Sequence, residues 1–127
     1  MPYFSRVSKD RLATCHDDLR KICNLAIQVF DFTVVCGFRN KEGQEKAFQE
    51  LASTKHWPDS KHNTSPSLAV DIAPYKNKAI VWKEDAPEWK TLITLIKGIA
   101  LTLDIKIECG ADWKNFIDKP HIQLKKQ

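Results

Sequence analysis

Four residues, His62, Asp71, Asp118 and His121, stand in apolar or loop surroundings where an imidazole or a carboxylate has to be accounted for. The stretch LAVDIA, 68–73, sets Asp71 in the middle of an apolar run that Pro74 closes, and His62 lies just upstream, across the loop NTSPS. Read as a strand, the run sends Leu68, Val70 and Ile72 to one face and Ala69, Asp71 and Ala73 to the other. Small residues flank the carboxylate, so it faces a cleft. In HIQL, 121–124, the same alternation turns Ile122 and Leu124 inward and leaves His121 and Gln123 on the opposite face. If the two strands are neighbours, Asp71 and His121 converge, and His62 reaches the same point from the loop. Two imidazoles and one carboxylate make a three-ligand zinc set with a fourth position open, the donor count of a catalytic site rather than a closed structural one. Asp118, three residues before His121, can reach that open position and carry a proton to and from reacting groups. Parity alone leaves an alternative open, in which Asp71 is a hydrogen-bonded structural group. His16, on the charged side of the first helix, and His56, in a polar loop, read as bystanders.

The elements that must position these residues can be placed from pattern. Leu12, Cys15, Leu19, Ile22, Cys23, Ala26 and Ile27 recur at helical spacing between Ser8 and about Val29, which predicts one amphipathic helix over a sheet. FTVVCG, 32–37, reads as a strand that delivers Arg39 just past its end. Asn40 caps a second helix running to about Ser53, with Ala47, Phe48 and Leu51 as its apolar stripe. The polar, proline-containing segment 54–67 is a loop of the length that commonly carries function. AIVW, 79–82, suggests a short strand. Asp85, Pro87 and Glu88 predict a capping box that opens the most buried helix, from Trp89 to Leu103. IKIECGADW, from 105, gives a strand and a turn, and HIQL the last strand. The order implies an α+β domain with a small, mostly antiparallel sheet, helices on one face and the metal site on the other.

Length and composition fit that picture. A chain of 127 residues, 43% hydrophobic and 28% charged, suits one domain spanning 1–127 with a single core. The net charge of +4 is spread among alternating acids and bases, and only the tail KKQ is a basic extension. No clustered patch suggests nucleic-acid binding. The N-terminus has no apolar signal segment, and no run approaches the roughly 20 apolar residues that span a bilayer. A soluble protein with no stable membrane insertion and no export signal of its own is expected. Cys15, Cys23, Cys36 and Cys109 are scattered singly, as free thiols in a reducing compartment would be, rather than as zinc ligands.

The pattern S-x-H, A-x-D, D-x-x-H, carried by Ser60–His62, Ala69–Asp71 and Asp118–His121 and accompanied by GADW before the last motif, resembles the zinc peptidases that include D-alanyl-D-alanine carboxypeptidases and the phage endolysins that cut L-alanyl-D-glutamate bonds. The likeness runs from the first helix to His121. It implies that His62, Asp71 and His121 bind Zn2+, that Asp118 is the catalytic acid/base, and that Arg39 contacts substrate or the developing oxyanion. Ser60 is implied as a support for the first ligand or as a substrate contact; the alternatives are Arg39 as a surface ion pair, Ser60 as a turn residue and Asp118 as an ordinary loop carboxylate. Trp113 and Asp112 read as packing and turn residues. Two departures matter. The loop between His62 and Asp71 is longer than the family's, with Ser67 near a usual glycine, and Asp118 and Pro120 stand where the carboxypeptidases have glutamate and tryptophan. The second departure leans toward an endopeptidase. The resemblance therefore implies a monomeric hydrolase of bacterial peptidoglycan, an endolysin held in the host cytoplasm until the membrane is permeabilised. The competing readings are a D-alanyl-D-alanine carboxypeptidase and a non-catalytic, zinc-stabilised binding domain.

Overall fold

β-Branched and apolar residues alternate with polar ones in short runs that meet as one antiparallel sheet in the computed structural model, which describes residues 2–126. Its strands are β1 (Phe32–Cys36), β2 (Ala69–Lys76), β3 (Ala79–Ile80), β4 (Ile107–Cys109) and β5 (His121–Leu124). The order across the sheet is β1-β2-β5-β4, with β3 paired to the far end of β2. The last strand in sequence therefore lies between two earlier ones, and its register sets Asp71 directly opposite His121 and Ala69 opposite Gln123. Glu108 of β4 lies opposite Gln123 from the other side. A bulge between Val34 and Cys36 places Cys36 beside Asp71, so Cys36, Asp71 and His121 form one row across three strands.

The helices are α1 (Arg6–Leu12), α2 (Asp17–Ala26), α3 (Lys41–Gln49) and α4 (Pro87–Thr102). Leu19, Ile22 and Ala26 of α2, with Trp89, Leu92 and Ile96 of α4, join Val34, Val70, Ile72 and Ile122 of the sheet in one buried cluster. Each of these larger side chains contributes about 1.5–3 kcal/mol by leaving water. As expected, α4 is deeply embedded, with Trp89, Leu92, Ile93, Ile96 and Ala100 all buried. No helix among the described residues is long and apolar enough to cross a membrane.

Several local expectations are corrected. The first helix is two helices, broken where Cys15 bridges to Ser67. His16 does not lie on a helix face: it caps α2, its Nδ1 accepting from the Asp18 N–H at 3.1 Å. Asn40 does cap α3, but that helix is shorter than its apolar stripe suggested, Leu51 is exposed, and its one buried residue is Gln44. The capping box at Asp85 is absent: Ala86 is the cap of α4 and gives no side-chain bond, so Pro87 alone marks the start. Pro74 does not end β2, which continues to Lys76. Its missing N–H costs nothing there, because it faces the side on which β5 has already ended at His121.

Candidate metal centre and cleft

Strand pairing brings Asp71 and His121 together, and a single 3-10 turn, Lys61–Asn63, brings in the other imidazole. Asp71 Oδ1 lies 3.1 Å from His62 Nε2 and 3.3 Å from His121 Nδ1. One donor atom from each of the three residues falls within 4.8 Å of the others. No cysteine belongs to the group; Cys15, Cys23 and Cys109 are buried free thiols and Cys36 is half-buried. Both histidines are almost fully buried, so their second nitrogens need partners, and they have them. His62 Nδ1 donates to the Gly37 carbonyl at 2.7 Å. His121 Nε2 lies 2.8 Å from Gln123 Oε1. In each ring the nitrogen turned toward Asp71 is thereby the one that can give its lone pair to a metal once the proton it shares with the carboxylate is gone. This donor set, converging and already held from behind, fits a divalent metal ion.

Without a metal, the three side chains satisfy one another through a proton. Burial works against a charge on His62, but the Asp71 carboxylate outweighs it and lifts the imidazole well above its ordinary range. Burial likewise pushes Asp71 toward its neutral form, and the two histidines overcome that and hold it ionised. A metal entering this site must displace that proton.

The turn carrying His62 is capped at its start by Ser60, whose Oγ accepts from the His62 N–H at 3.2 Å, while Asn63 Oδ1 accepts from the Ser60 N–H at 3.0 Å. Ser60 thus acts on the ligand through the backbone, in the manner of a helix cap. The long loop that follows is pinned rather than loose. The Ser67 N–H donates to Thr14 O, the His16 N–H to Ser67 O, and the Leu68 N–H to Lys61 O.

Arg39 does pair with an acid, and that acid is Asp71. Its Nη2 lies 3.4 Å from Asp71 Oδ2, and its Nη1 donates to Gln44 Oε1 at 3.0 Å. The guanidinium therefore occupies one carboxylate oxygen and leaves Oδ1 to the imidazoles. Gln44, fully buried, is the hub of this side: its amide also accepts from Asn63 Nδ2 and donates to Ser53 Oγ and the Lys55 carbonyl. Sequence reading missed Gln44 and Asn63 because a buried glutamine leaves no trace in an apolar stripe.

Asp118 borders the same space. Arg39, Ser53, Lys55, Ser60, His62 and Trp113 line, with Phe116, Asp118, His121 and Gln123, a cleft of about 130 Å³. The Asp118 N–H donates to Gly110 O at 3.0 Å, and its carbonyl accepts from the His121 N–H at 3.1 Å. Gly110 is required for this approach, since a Cβ there would sit 2.2 Å from Asp118 O. Partial burial, reinforced by the charge on Asp71, pushes the Asp118 carboxyl up to about 6. That places it where a group can both take and give a proton near neutral pH. Trp113 does more than pack as a turn residue: its ring lies 5.0 Å from that of His121 and lines the cleft.

The chain is similar to known proteins over nearly its whole length. The model of a family described as phage L-alanyl-D-glutamate peptidase matches residues 1–125. An L-alanyl-D-glutamate peptidase from Escherichia phage T5 is 30% identical over 126 residues, which is 97% of this chain and 89% of that protein. The crystal structure of the Serratia marcescens L-Ala D-Glu endopeptidase ChiX superposes with a TM-score of 0.82 at 24% identity, covering 98% of this chain and 91% of that one. At that identity the superposition speaks for the α+β fold. With the fold and an almost full-length sequence match in agreement, the chain belongs to the phage L-alanyl-D-glutamate peptidase family.

Proposed function

We propose that this protein is a zinc-dependent peptidoglycan hydrolase that cuts the bond between L-alanine and D-glutamate in the stem peptide. The observation that carries this reading is the meeting of the His62, Asp71 and His121 donors beside Asp118 in one cleft. His62 Nε2, Asp71 Oδ1 and His121 Nδ1 would hold the zinc. When bound, zinc supplies a Lewis acid for the scissile carbonyl and makes water acidic enough to attack near neutral pH.

The chain's own residues do the rest. Asp118, with its carboxyl raised to about 6, takes a proton from the attacking water and returns it to the leaving amine of D-glutamate. Arg39 keeps Asp71 turned through Oδ2 and offers its remaining N–H groups to the developing oxyanion or to a substrate carboxylate. Ser60 positions His62 through the turn it caps. The mildly basic surface suits a polyanionic wall. The protein acts as a monomer from the host cytoplasm once the membrane is opened, as an endolysin does.

The test is mass spectrometry of purified peptidoglycan digested with wild type and with Asp118→Ala, with bound metal quantified in both. New L-alanine carboxyl and D-glutamate amino ends, made by wild type and lost at least 100-fold in the variant while zinc is retained, are the expected result. Released D-alanine would instead make the protein a carboxypeptidase. Stoichiometric zinc with no cleavage by either protein would make it a binding domain.

A further inference from the structure

Behind His121 a second polar row crosses the sheet, parallel to the row that holds the candidate ligands. Gln123 lies two residues along β5 from His121, opposite Glu108 on one side and Ala69 on the other. Gln123 Oε1 faces His121 Nε2 at 2.8 Å, and Gln123 Nε2 donates to Glu108 Oε2 at 3.0 Å. The same Glu108 oxygen accepts from the Trp113 indole N–H at 3.0 Å. Ala69, fully buried, leaves the other side of Gln123 without a polar alternative.

An amide in this position has two orientations of nearly the same shape, and they instruct the imidazole in opposite ways. With its carbonyl toward His121, the amide requires a hydrogen on Nε2 and leaves Nδ1 as the nitrogen that can give its lone pair to a metal. With its NH2 toward His121, it requires a lone pair on Nε2 and puts the hydrogen on Nδ1, which blocks the atom that points into the site. An ionised glutamate accepts and never donates. Glu108 therefore permits only the first orientation, because the NH2 must point at the carboxylate.

We propose that Glu108 and Gln123 are positioning residues that set the His121 tautomer: Glu108 fixes the Gln123 amide, and the amide fixes the hydrogen on Nε2 so that Nδ1 is free for the metal. The inference rests on the reading of His121 as a ligand, and deepens it. Trp113 is held by the same carboxylate but sends no hydrogen bond to the imidazole, so its indole N–H is a passenger on this relay rather than part of it.

Three variants separate the possibilities. Glu108→Gln keeps an acceptor for Trp113 but offers an NH2 as well, so Gln123 is no longer directed. Gln123→Met removes the amide at similar volume. Trp113→Phe removes the indole N–H and part of the ring while leaving an aromatic side chain. Zinc affinity is measured by chelator competition on the loaded proteins, and the protonated nitrogen of His121 is read by 15N NMR of labelled histidine with and without zinc. Glu108→Gln and Gln123→Met should each hold zinc about 10–100-fold more weakly and, without zinc, keep hydrogen on His121 Nε2 in only part of the population. Wild type and Trp113→Phe should share one affinity and keep hydrogen on Nε2. Wild-type affinity and an unchanged tautomer in Glu108→Gln would overturn the proposal. A Trp113→Phe defect equal to that of Glu108→Gln would overturn it too, by assigning the effect to the indole. These readouts do not depend on wall cleavage, so a wild type that binds zinc but cuts nothing would defeat the peptidase reading and leave this one standing.

Discussion

The two imidazoles of the centre are held in opposite ways. His62 sits on a loop, yet its outer nitrogen is fixed by a backbone carbonyl, Gly37 O, and its peptide N–H by the cap Ser60. His121 sits on a central strand, yet its outer nitrogen depends on a side chain, Gln123, which depends on another, Glu108. A loop ligand needs an anchor that cannot rotate, and a main-chain carbonyl at the end of β1 supplies one. A strand ligand already has its Cα placed by the ladder, so only the hydrogen on its ring remains to be set. Side-chain substitutions should therefore reach the two histidines unequally.

The largest effects should not distinguish them. His62→Ala or His121→Ala removes a donor, and both should lose stoichiometric zinc and essentially all cleavage; one equivalent of tightly held metal in either would break the ligand assignment. Next comes pH, which belongs to the His121 side because Asp118 is hydrogen-bonded to it. The Asp118 carboxyl, proposed as the base and raised to about 6 in the metal-free protein, loses its reactive form as pH falls, and a bound cation would lower that point. Cleavage should thus decline about tenfold per unit at or below about 6, as a pH–rate profile would read. In the metal-free protein the sign for stability is the reverse. The folded carboxyl keeps its proton to higher pH than the unfolded one, so this group's contribution weakens as pH rises from the ordinary aspartate range through about 6. Asp118→Asn should flatten that part of the stability curve.

Smaller effects sharpen the contrast. Gly37→Ala would place a Cβ 2.4 Å from the Arg11 carbonyl and 2.3 Å from Thr14 Oγ1, so the end of β1 must shift. A loss of about 1–3 kcal/mol in denaturant unfolding is expected, with weaker zinc binding through His62. Gln44→Ala strands Arg39, Asn63 and the Lys55 carbonyl, and should cost about 2–4 kcal/mol by the same measurement. Ser60→Ala removes a cap on a single turn and should cost about 1 kcal/mol. A Ser60 variant as damaged as Gln44→Ala would mean that the loop ligand is held by its turn and not by the Gly37 carbonyl.

Much of this centre could be read from the chain because strand parity is strict. Alternation along 68–73 and 121–124 put Asp71 and His121 on one face, and the structure pairs them. The same alternation already set Gln123 beside His121, and applied to 105–109 it would have set Glu108 there too. What was missing was a reason to look past the metal-binding residue types. The helical half was less legible. Continuous apolar spacing hid the break between α1 and α2, because the cause lies elsewhere: residues 14–16 bond to Ser67, more than fifty positions away in sequence. A hydrophobic stripe also misplaced α3, whose buried contact is the amide of Gln44, and Asp85 had a cap's spacing without a cap's geometry.

The insertion of β5 between β2 and β4 has a consequence for how the protein comes into being. Domains emerge from synthesis N-terminal end first, and here the strand that completes the middle of the sheet is made after the two strands it joins. Until then β2 and β4 have no common neighbour, the core lacks Ile122 and Leu124, and the His62–Asp71 pair lacks its third member. Such long-range pairing closes late. Core and candidate metal centre should therefore appear together, so that a chain stalled or clipped before β5 is inert rather than weakly active.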